Sequence, residues 1–159
     1  MRILIVSDTH GAHENLETVI QKDGPFDRMF HLGDSEVSLE ELEELAGCMV
    51  DAVAGNMDFR STLPREKVVE VEGYRILLTH GHNDSVDQTL LMLDYKAQNL
   101  DVDIAMFGHT HVALLEEEGI VLFNPGSLSR PRPWKALPSY GILEIDQDGE
   151  YQLTHGYLD

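Results

Sequence analysis

The 159-residue chain carries 11 Lys and Arg against 29 Asp and Glu, a formal net charge of −18 with His neutral. That excess opposes docking along polynucleotides or anionic lipid, because both associations gain from neutralising phosphates with cations. With 42% hydrophobic and 25% charged residues, disorder and low-complexity architectures are excluded, and the length predicts one domain, residues 1–159, with an ordinary core.

In chain order, Ile3 to Val6 reads as a buried strand, and Glu14 to Lys22, with Leu16, Val19 and Ile20 at helical spacing, reads as the first helix. Met29 to Phe30 is the next strand signal. Leu39 to Leu45 follows as a helix with Leu39, Leu42 and Leu45 on one face, and Ser38 with Glu41 forms a capping box at its start. The acidic run Glu40 to Glu44 is then its solvated face. Met49 to Ala54 closes a βαβαβ opening. The pattern changes at Val68 to Val71, which pairs across Glu72-Gly73 with Tyr74 to Leu78 as a predicted antiparallel hairpin. Ser85 with Gln88 predicts a second capping box before a helix over Leu90 to Leu100, and Ile104 to Phe107 is another buried strand. Two more hairpins are predicted, Val112 to Leu115 with Ile120 to Phe123, and Gly141 to Ile145 with Tyr151 to Thr154. Between them Arg130 to Pro138 is a Pro-rich loop. No apolar run approaches the ~20 residues of a membrane helix, and the run after Met1-Arg2 breaks at Asp8, too early for a signal peptide. Cys48 is alone, which excludes an internal disulfide. A cytoplasmic location is expected, with Cys48 as a small buried hydrophobe.

Side chains that hold metals or move protons collect directly after the apolar runs: Ser7-Asp8-Thr9-His10, Gly33-Asp34, Gly55-Asn56, Thr79-His80-Gly81-His82 and Gly108-His109-Thr110-His111. Residues beyond the carboxyl ends of neighbouring strands in an α/β sheet converge on one crevice, so these five segments are expected to face one site. Asp8 and His10 stand two apart, as do His109 and His111, so each pair points the same way if its segment is extended. Seven ligand-type groups result, Asp8, His10, Asp34, Asn56, His80, His109 and His111. One zinc takes four; seven suit two divalent ions if a carboxylate is shared, and Asp34, midway in the series, is the expected bridge. Imidazole, carboxylate and amide ligation without thiolate points away from structural zinc and toward Mn, Fe, Zn or Ni.

The ordered motifs DTH, GD, GN, THGH, GHTH and then NPGS at Asn124 to Ser127 resemble the calcineurin-like metallophosphoesterase superfamily, and its small YfcE-type phosphodiesterases most of all. The resemblance runs from Ile3 to about Arg132. It implies an α/β fold, a four-layer αββα sandwich of two mixed β-sheets flanked by helices, with a dinuclear site at the strand ends. It also implies that Asp8, His10 and His111 hold one ion, that Asn56, His80 and His109 hold the other, and that Asp34 bridges. The implied cofactors are two divalent ions, Mn²⁺ first, with Zn²⁺, Ni²⁺ and Fe²⁺ as alternatives. The implied reaction is hydrolysis of a small phosphodiester by a metal-bridging hydroxide, with homo-oligomers common in the family. Asp34, Asn56 and His82 are expected to act in catalysis.

One departure matters: many superfamily members have His directly after the metal-binding Asn, whereas here Met57-Asp58 follows Asn56. His82 is the expected contact to the phosphate or leaving oxygen, and Asp58 is expected to orient a ligand or cap the turn. Without a strong general acid, diesters with leaving groups of low pKa should react best. The alternatives are a phosphomonoesterase of the same fold and a retromer-subunit-like interaction scaffold; a polynucleotide substrate is opposed by the charge. Arg130, Arg132, Trp134 and Lys135 form the one basic concentration, either lining the cleft or pairing with surface carboxylates. His13, His31 and His155 are expected to be structural or at the surface.

Overall fold

The computed structural model describes residues 1–159. Strands β1 (Arg2–Val6), β2 (Arg28–His31) and β3 (Met49–Ala52) alternate with helices α1 (Glu14–Asp23) and α2 (Leu39–Ala46), followed by the hairpin β4 (Glu66–Val71) and β5 (Tyr74–Thr79). Helix α3 (Leu91–Asn99) precedes β6 (Ile104–Met106), β7 (Leu114–Glu116), β8 (Val121–Asn124), β9 (Ser139–Ile145) and β10 (Tyr151–Tyr157). Two mixed five-stranded sheets result, in the orders β10-β9-β1-β2-β3 and β4-β5-β6-β8-β7. β1, β2 and β3 run parallel, as do β5, β6 and β8, while β9, β10, β4 and β7 pair antiparallel to their neighbours.

Alternation along each strand explains why the apolar runs are continuous. Ile3 and Ile5 pack between the sheets with Phe30, Ile76, Leu78, Ile104, Met106 and Phe123. Leu4 and Val6 point the other way, onto Leu16 and Val19 of α1 and Leu42 of α2. On the far side, Leu77, Ala105 and Leu122 meet Leu93 and Ala97 of α3. A strand covered on both faces has no solvated positions to break its run, and the layers are α, β, β, α. No helix is long and apolar enough to cross a membrane.

Ser38 caps α2 as expected, its side chain accepting from the Glu41 N–H, and Gly47 closes the helix in the left-handed conformation. The second capping box does not form. Ser85 has φ +54°, and its carbonyl, not its hydroxyl, accepts from the N–H groups of Gln88 and Thr89. A capping side chain requires extended backbone at the cap; here a one-turn helix at His82–Asp84 ends in a left-handed Ser85. The buried Asp84 carboxylate behind it accepts from Lys96 Nζ. α3 therefore begins at Leu91, with no side-chain cap at Leu90. Cys48 is partly buried against the α1 and α2 layer, and burial pushes its thiol pKa up.

Candidate metal centre

The carboxyl ends of β1, β2, β3, β5 and β6 deliver Asp8, His10, Asp34, Asn56, His80, His109 and His111 to one place between the two sheets. The backbone that does so is not extended. Asp8, His10, Asp34, His109 and His111 have φ of +54°, +49°, +57°, +72° and +62°, so the extended segments that the two-apart spacing presupposed are not formed. These residues converge through left-handed turns, a conformation that costs non-glycine residues and is held only where the surroundings impose it.

What imposes it is a set of long-range hydrogen bonds. Ser127 Oγ and Ser129 Oγ both donate to the Asp8 carbonyl, at 2.8 and 2.9 Å. Asn124 Nδ2 donates to the Gly108 carbonyl at 3.0 Å. The Asp58 carboxylate accepts from the N–H groups of Asp34, Glu36 and Gly55, at 2.7, 2.8 and 2.7 Å, so it binds the loop after β2 to the loop after β3. Gly55 and Gly108 pack so closely on Asp34 and on Ser7 and Asp8 that a Cβ at either would overlap those side chains. Fully buried His31 takes the Gly33 N–H on Nδ1 at 3.2 Å, so its Nε2–H donates to Thr9 Oγ1 at 2.9 Å. Burial holds the His31 pKa down to about 4, and the ring is a neutral strut between two ligand loops. His155 stacks on Phe123 and reaches the Asn124 carbonyl, and half-buried His13 contacts Thr9 Oγ1. All three are structural, as expected.

The inner geometry follows from the outer hydrogen bonds. His10 Nδ1 donates to Glu36 Oε2 at 2.9 Å, His80 Nδ1 to the Leu32 carbonyl at 2.7 Å, and His111 Nδ1 to the Arg130 carbonyl at 2.7 Å. With a proton held on Nδ1, each Nε2 faces inward, a donor to the carboxylates when the ring is protonated and a lone pair for a cation when it is neutral. All three approach Asp8 Oδ1, at 3.8, 3.7 and 3.1 Å. That oxygen is buried and has no hydrogen-bond partner. Asp34 Oδ2 lies 3.2 Å from His80 Nε2 and 3.9 Å from His10 Nε2, and Asn56 Oδ1 is 3.0 Å from His80 Nε2. The His109 ring stands 5.2 Å from that of His80.

Burial pushes the Asp8 carboxyl up, but the adjacent His111 ring, the charge of His80 and the Ser7 hydroxyl override it, leaving a pKa of about 2. Asp34 is likewise lowered, burial being outweighed by His80 and the Met57 N–H. His80 is raised, because the two carboxylates outweigh its burial. The pocket gathers two carboxylates and inward-facing imidazole nitrogens, a donor set that fits cations once the rings are neutral. Ligand atoms about 2.1 Å from a metal at tetrahedral angles stand about 3.4 Å apart, as these do. Two triads meet the spacing, Asp8 with His10 and His111, and Asp8 with Asp34 and His80. The carboxylate common to both is Asp8, while Asp34 also lies between His10 and His80.

The calcineurin-like phosphoesterase superfamily domain matches residues 1–148. The chain belongs to that superfamily. It is 38% identical over 152 residues to a probable metallophosphoesterase, YsnB, of Bacillus subtilis, covering 93% of this chain and 86% of that one. It is 30% identical to the phosphodiesterase YfcE of Escherichia coli, over 92% and 89% of the two chains. A predicted phosphoesterase of Streptococcus pneumoniae superposes with a TM-score of 0.83 at 34% identity, over 98% of this chain and 88% of that one. Vps29 of Entamoeba histolytica, solved with zinc, shares the fold with a TM-score of 0.76 at 23% identity, over 99% of each chain.

A superfamily metal site needs a way in for phosphate, and a cleft of about 760 Å³ opens on His10, Asp34, Asn56, His109 and His111. Arg130 and Arg132 line it; Trp134 and Lys135 do not. His82 stands beside the cluster, 5.4 Å from the His80 ring and 6.1 Å from the His109 ring, with Arg65 Nη1 3.3 Å from its Nε2, and is not among the cleft residues. Burial and the neighbouring His80, Arg65 and His109 lower its pKa. Sequence reasoning named Asp58 and the NPGS motif but missed Glu36, Ser129 and the Leu32 and Arg130 carbonyls. Glu36, two residues after Asp34, is the one of these with a signal in its spacing.

Proposed function

We propose that the chain is a metal-dependent phosphodiesterase with a dinuclear centre in one domain spanning residues 1–159. The observation that carries the reading is Asp8 Oδ1, buried, partnerless and faced by three imidazole Nε2 atoms. Asp8, His10 and His111 would hold one divalent ion, Asn56, His80 and His109 the other, and Asp34 would be shared; Mn²⁺ is our first choice of metal. When bound, two such ions supply an acidified water near neutral pH and neutralise charge on the phosphoryl oxygens. The chain fixes the direction of each ligand through the outer hydrogen bonds, and Asp8 and Asp34, ionised at neutral pH, leave a cationic patch in an otherwise acidic protein. Phosphate anions are drawn there. Asn56, more exposed than the other ligands, stands at the cleft mouth. His82 would contact the phosphoryl or leaving oxygen as a neutral ring once Arg65 gives way. The lone Cys48 supports a reducing compartment, and in this reading the location is cytoplasmic.

The name of YfcE favours diesters over monoesters. The test is hydrolysis of bis(p-nitrophenyl) phosphate by metal-stripped protein re-supplied with Mn²⁺, Ni²⁺, Zn²⁺ or Mg²⁺, beside p-nitrophenyl phosphate and Asp34→Ala. Metal-dependent diester turnover that disappears in Asp34→Ala supports the reading; faster monoester turnover moves it to a phosphomonoesterase. A folded protein inactive with every metal favours an interaction scaffold, the alternative that the Vps29 likeness keeps open. Rates across aryl and alkyl diesters should fall steeply as the leaving-group pKa rises, and a flat series would overturn the assignment of a weak acid.

A further inference from the structure

In a chain of net charge −18, carboxylates are plentiful, and five of the eleven Lys and Arg are paired with them. Arg2, Arg28, Lys67, Arg75 and Lys96 are each ion-paired. Arg130 and Arg132 are exposed in the cleft wall, yet neither guanidinium makes an ion pair or a hydrogen bond. Their backbone is fixed: the Arg130 carbonyl accepts from His111 Nδ1 at 2.7 Å, and the Arg132 N–H donates to the His111 carbonyl at 2.9 Å. The backbones of both arginines are thus tied to His111, while their guanidiniums are free. Arg is suited to phosphate and carboxylate, which it binds with two parallel N–H groups.

The cluster is already matched to one phosphate, because bound ions would neutralise its charge. Two more cations lining the same cleft exceed what a singly charged diester needs. Val86, Leu90, Val112 and Leu114 line the same cleft of ~760 Å³ and give it an apolar wall, which is room for a ring-sized substituent. Asp87 and Glu116 also line the cleft and disfavour anions at their own positions, whereas Arg130 and Arg132 favour them.

We propose that Arg130 and Arg132 form an anion subsite, and that the substrate class is a phosphodiester with a ring-bearing substituent that carries a second phosphate. This rests on the phosphodiesterase reading. It is tested with two esters that share a leaving group and a reacting phosphate: thymidine 5′-(p-nitrophenyl phosphate) and the same compound phosphorylated at O3′. In Mn²⁺-loaded protein the O3′-phosphorylated ester should show about ten-fold higher kcat/KM, the scale of one charge-assisted contact pair at a partly solvated site. Arg130→Met and Arg132→Met should each shrink that ratio toward one, Arg→Lys should keep part of it, and Lys22→Met on exposed α1 should leave it unchanged. The backbone bonds to His111 persist in all of these variants.

Calorimetry with thymidine 3′,5′-bisphosphate and thymidine 5′-phosphate reads the same subsite without turnover, the bisphosphate binding about ten-fold tighter in the parent and not in the Met variants. A ratio near one in the parent, in turnover and in binding, overturns the subsite. So does an equal loss on both esters in the Met variants, which would put the arginines on the reacting phosphate itself. Turnover of neither ester with any metal overturns the phosphodiesterase reading, and the calorimetric pair then still decides the subsite.

Discussion

The interior of the sandwich and the rim of loops at its strand ends are built by different forces. Between the sheets, Ile3, Ile5, Phe30, Ile76, Met106 and Phe123 are fully buried apolar side chains on regular strands, and their stabilisation scales with area removed from water. At the rim, five of the ligand residues sit at positive φ, and polar atoms are held by partners as distant as Ser129 from Asp8, 121 residues away. The interior determines whether the chain folds. The rim stores backbone strain and gathered negative charge, and its geometry is over-determined by hydrogen bonds so that strain persists. Damage to one region should therefore leave the other largely intact.

The largest separation is expected from Asp8→Ala. It deletes the carboxylate that both triads share, and diester turnover should fall about 10³-fold or more, equivalent to ~4 kcal/mol of transition-state stabilisation. Bound metal measured by elemental analysis should fall with it, while the near-ultraviolet spectrum of the sandwich is retained. Phe30→Ala should do the reverse. Truncating this fully buried ring should cost about 3–5 kcal/mol in denaturant unfolding, whereas kcat of the fraction still folded changes only a few-fold. If Phe30→Ala removed metal binding at temperatures where the protein is folded, the division between interior and rim would be wrong.

A third effect lies on the boundary. His31 ends β2 and its ring joins two rim loops. The unfolded ring takes up a proton near pH 6.5 and the buried one only near pH 4, so between those values the unfolded chain binds more protons and stability rises with pH. The penalty is absent above pH 6.5 and grows as pH falls toward 4, reaching about 2 kcal/mol by pH 5. Unfolding free energies from urea titrations of the parent and His31→Asn at pH 7 and pH 5 should differ by that amount in their pH dependence. Identical slopes would mean that His31 is not the buried neutral group described.

These regions also differ in how far residue order reveals them. Strands covered on both faces announce themselves as runs such as Ile3 to Val6, and the Ser38 cap is local chemistry that needs no tertiary contact. The same capping logic failed at Ser85, where the backbone is set by a preceding turn and a buried Asp84–Lys96 pair. The ligand residues were visible because they follow each strand, but their approach was not, because the sign of φ at Asp8 or His109 is imposed by remote partners. Ser127 and Ser129 have no spacing to Asp8 that could be read, and only the fold could decide whether Arg130 and Arg132 faced the cleft or a surface carboxylate.

Glu36 gives the smallest expected effect and the sharpest view of the rim. Its Oε2 accepts from His10 Nδ1, which orients the ring and makes Nε2 a better donor to a cation. The Glu36 side chain is 35% exposed, so solvent screens the pair and its contribution to stability should be within about 1 kcal/mol. Glu36→Gln keeps an oxygen acceptor but removes the charge, and metal affinity should weaken by about ten-fold, the low end for partners of a ligating imidazole. Glu36→Ala, which leaves Nδ1–H to water, should weaken it further. Metal titrations of the two variants give the order directly. If Gln and Ala behave alike, the charge rather than the orientation of His10 is what Glu36 contributes; if neither differs from the parent, the loop backbone held by Asp58 fixes His10 alone.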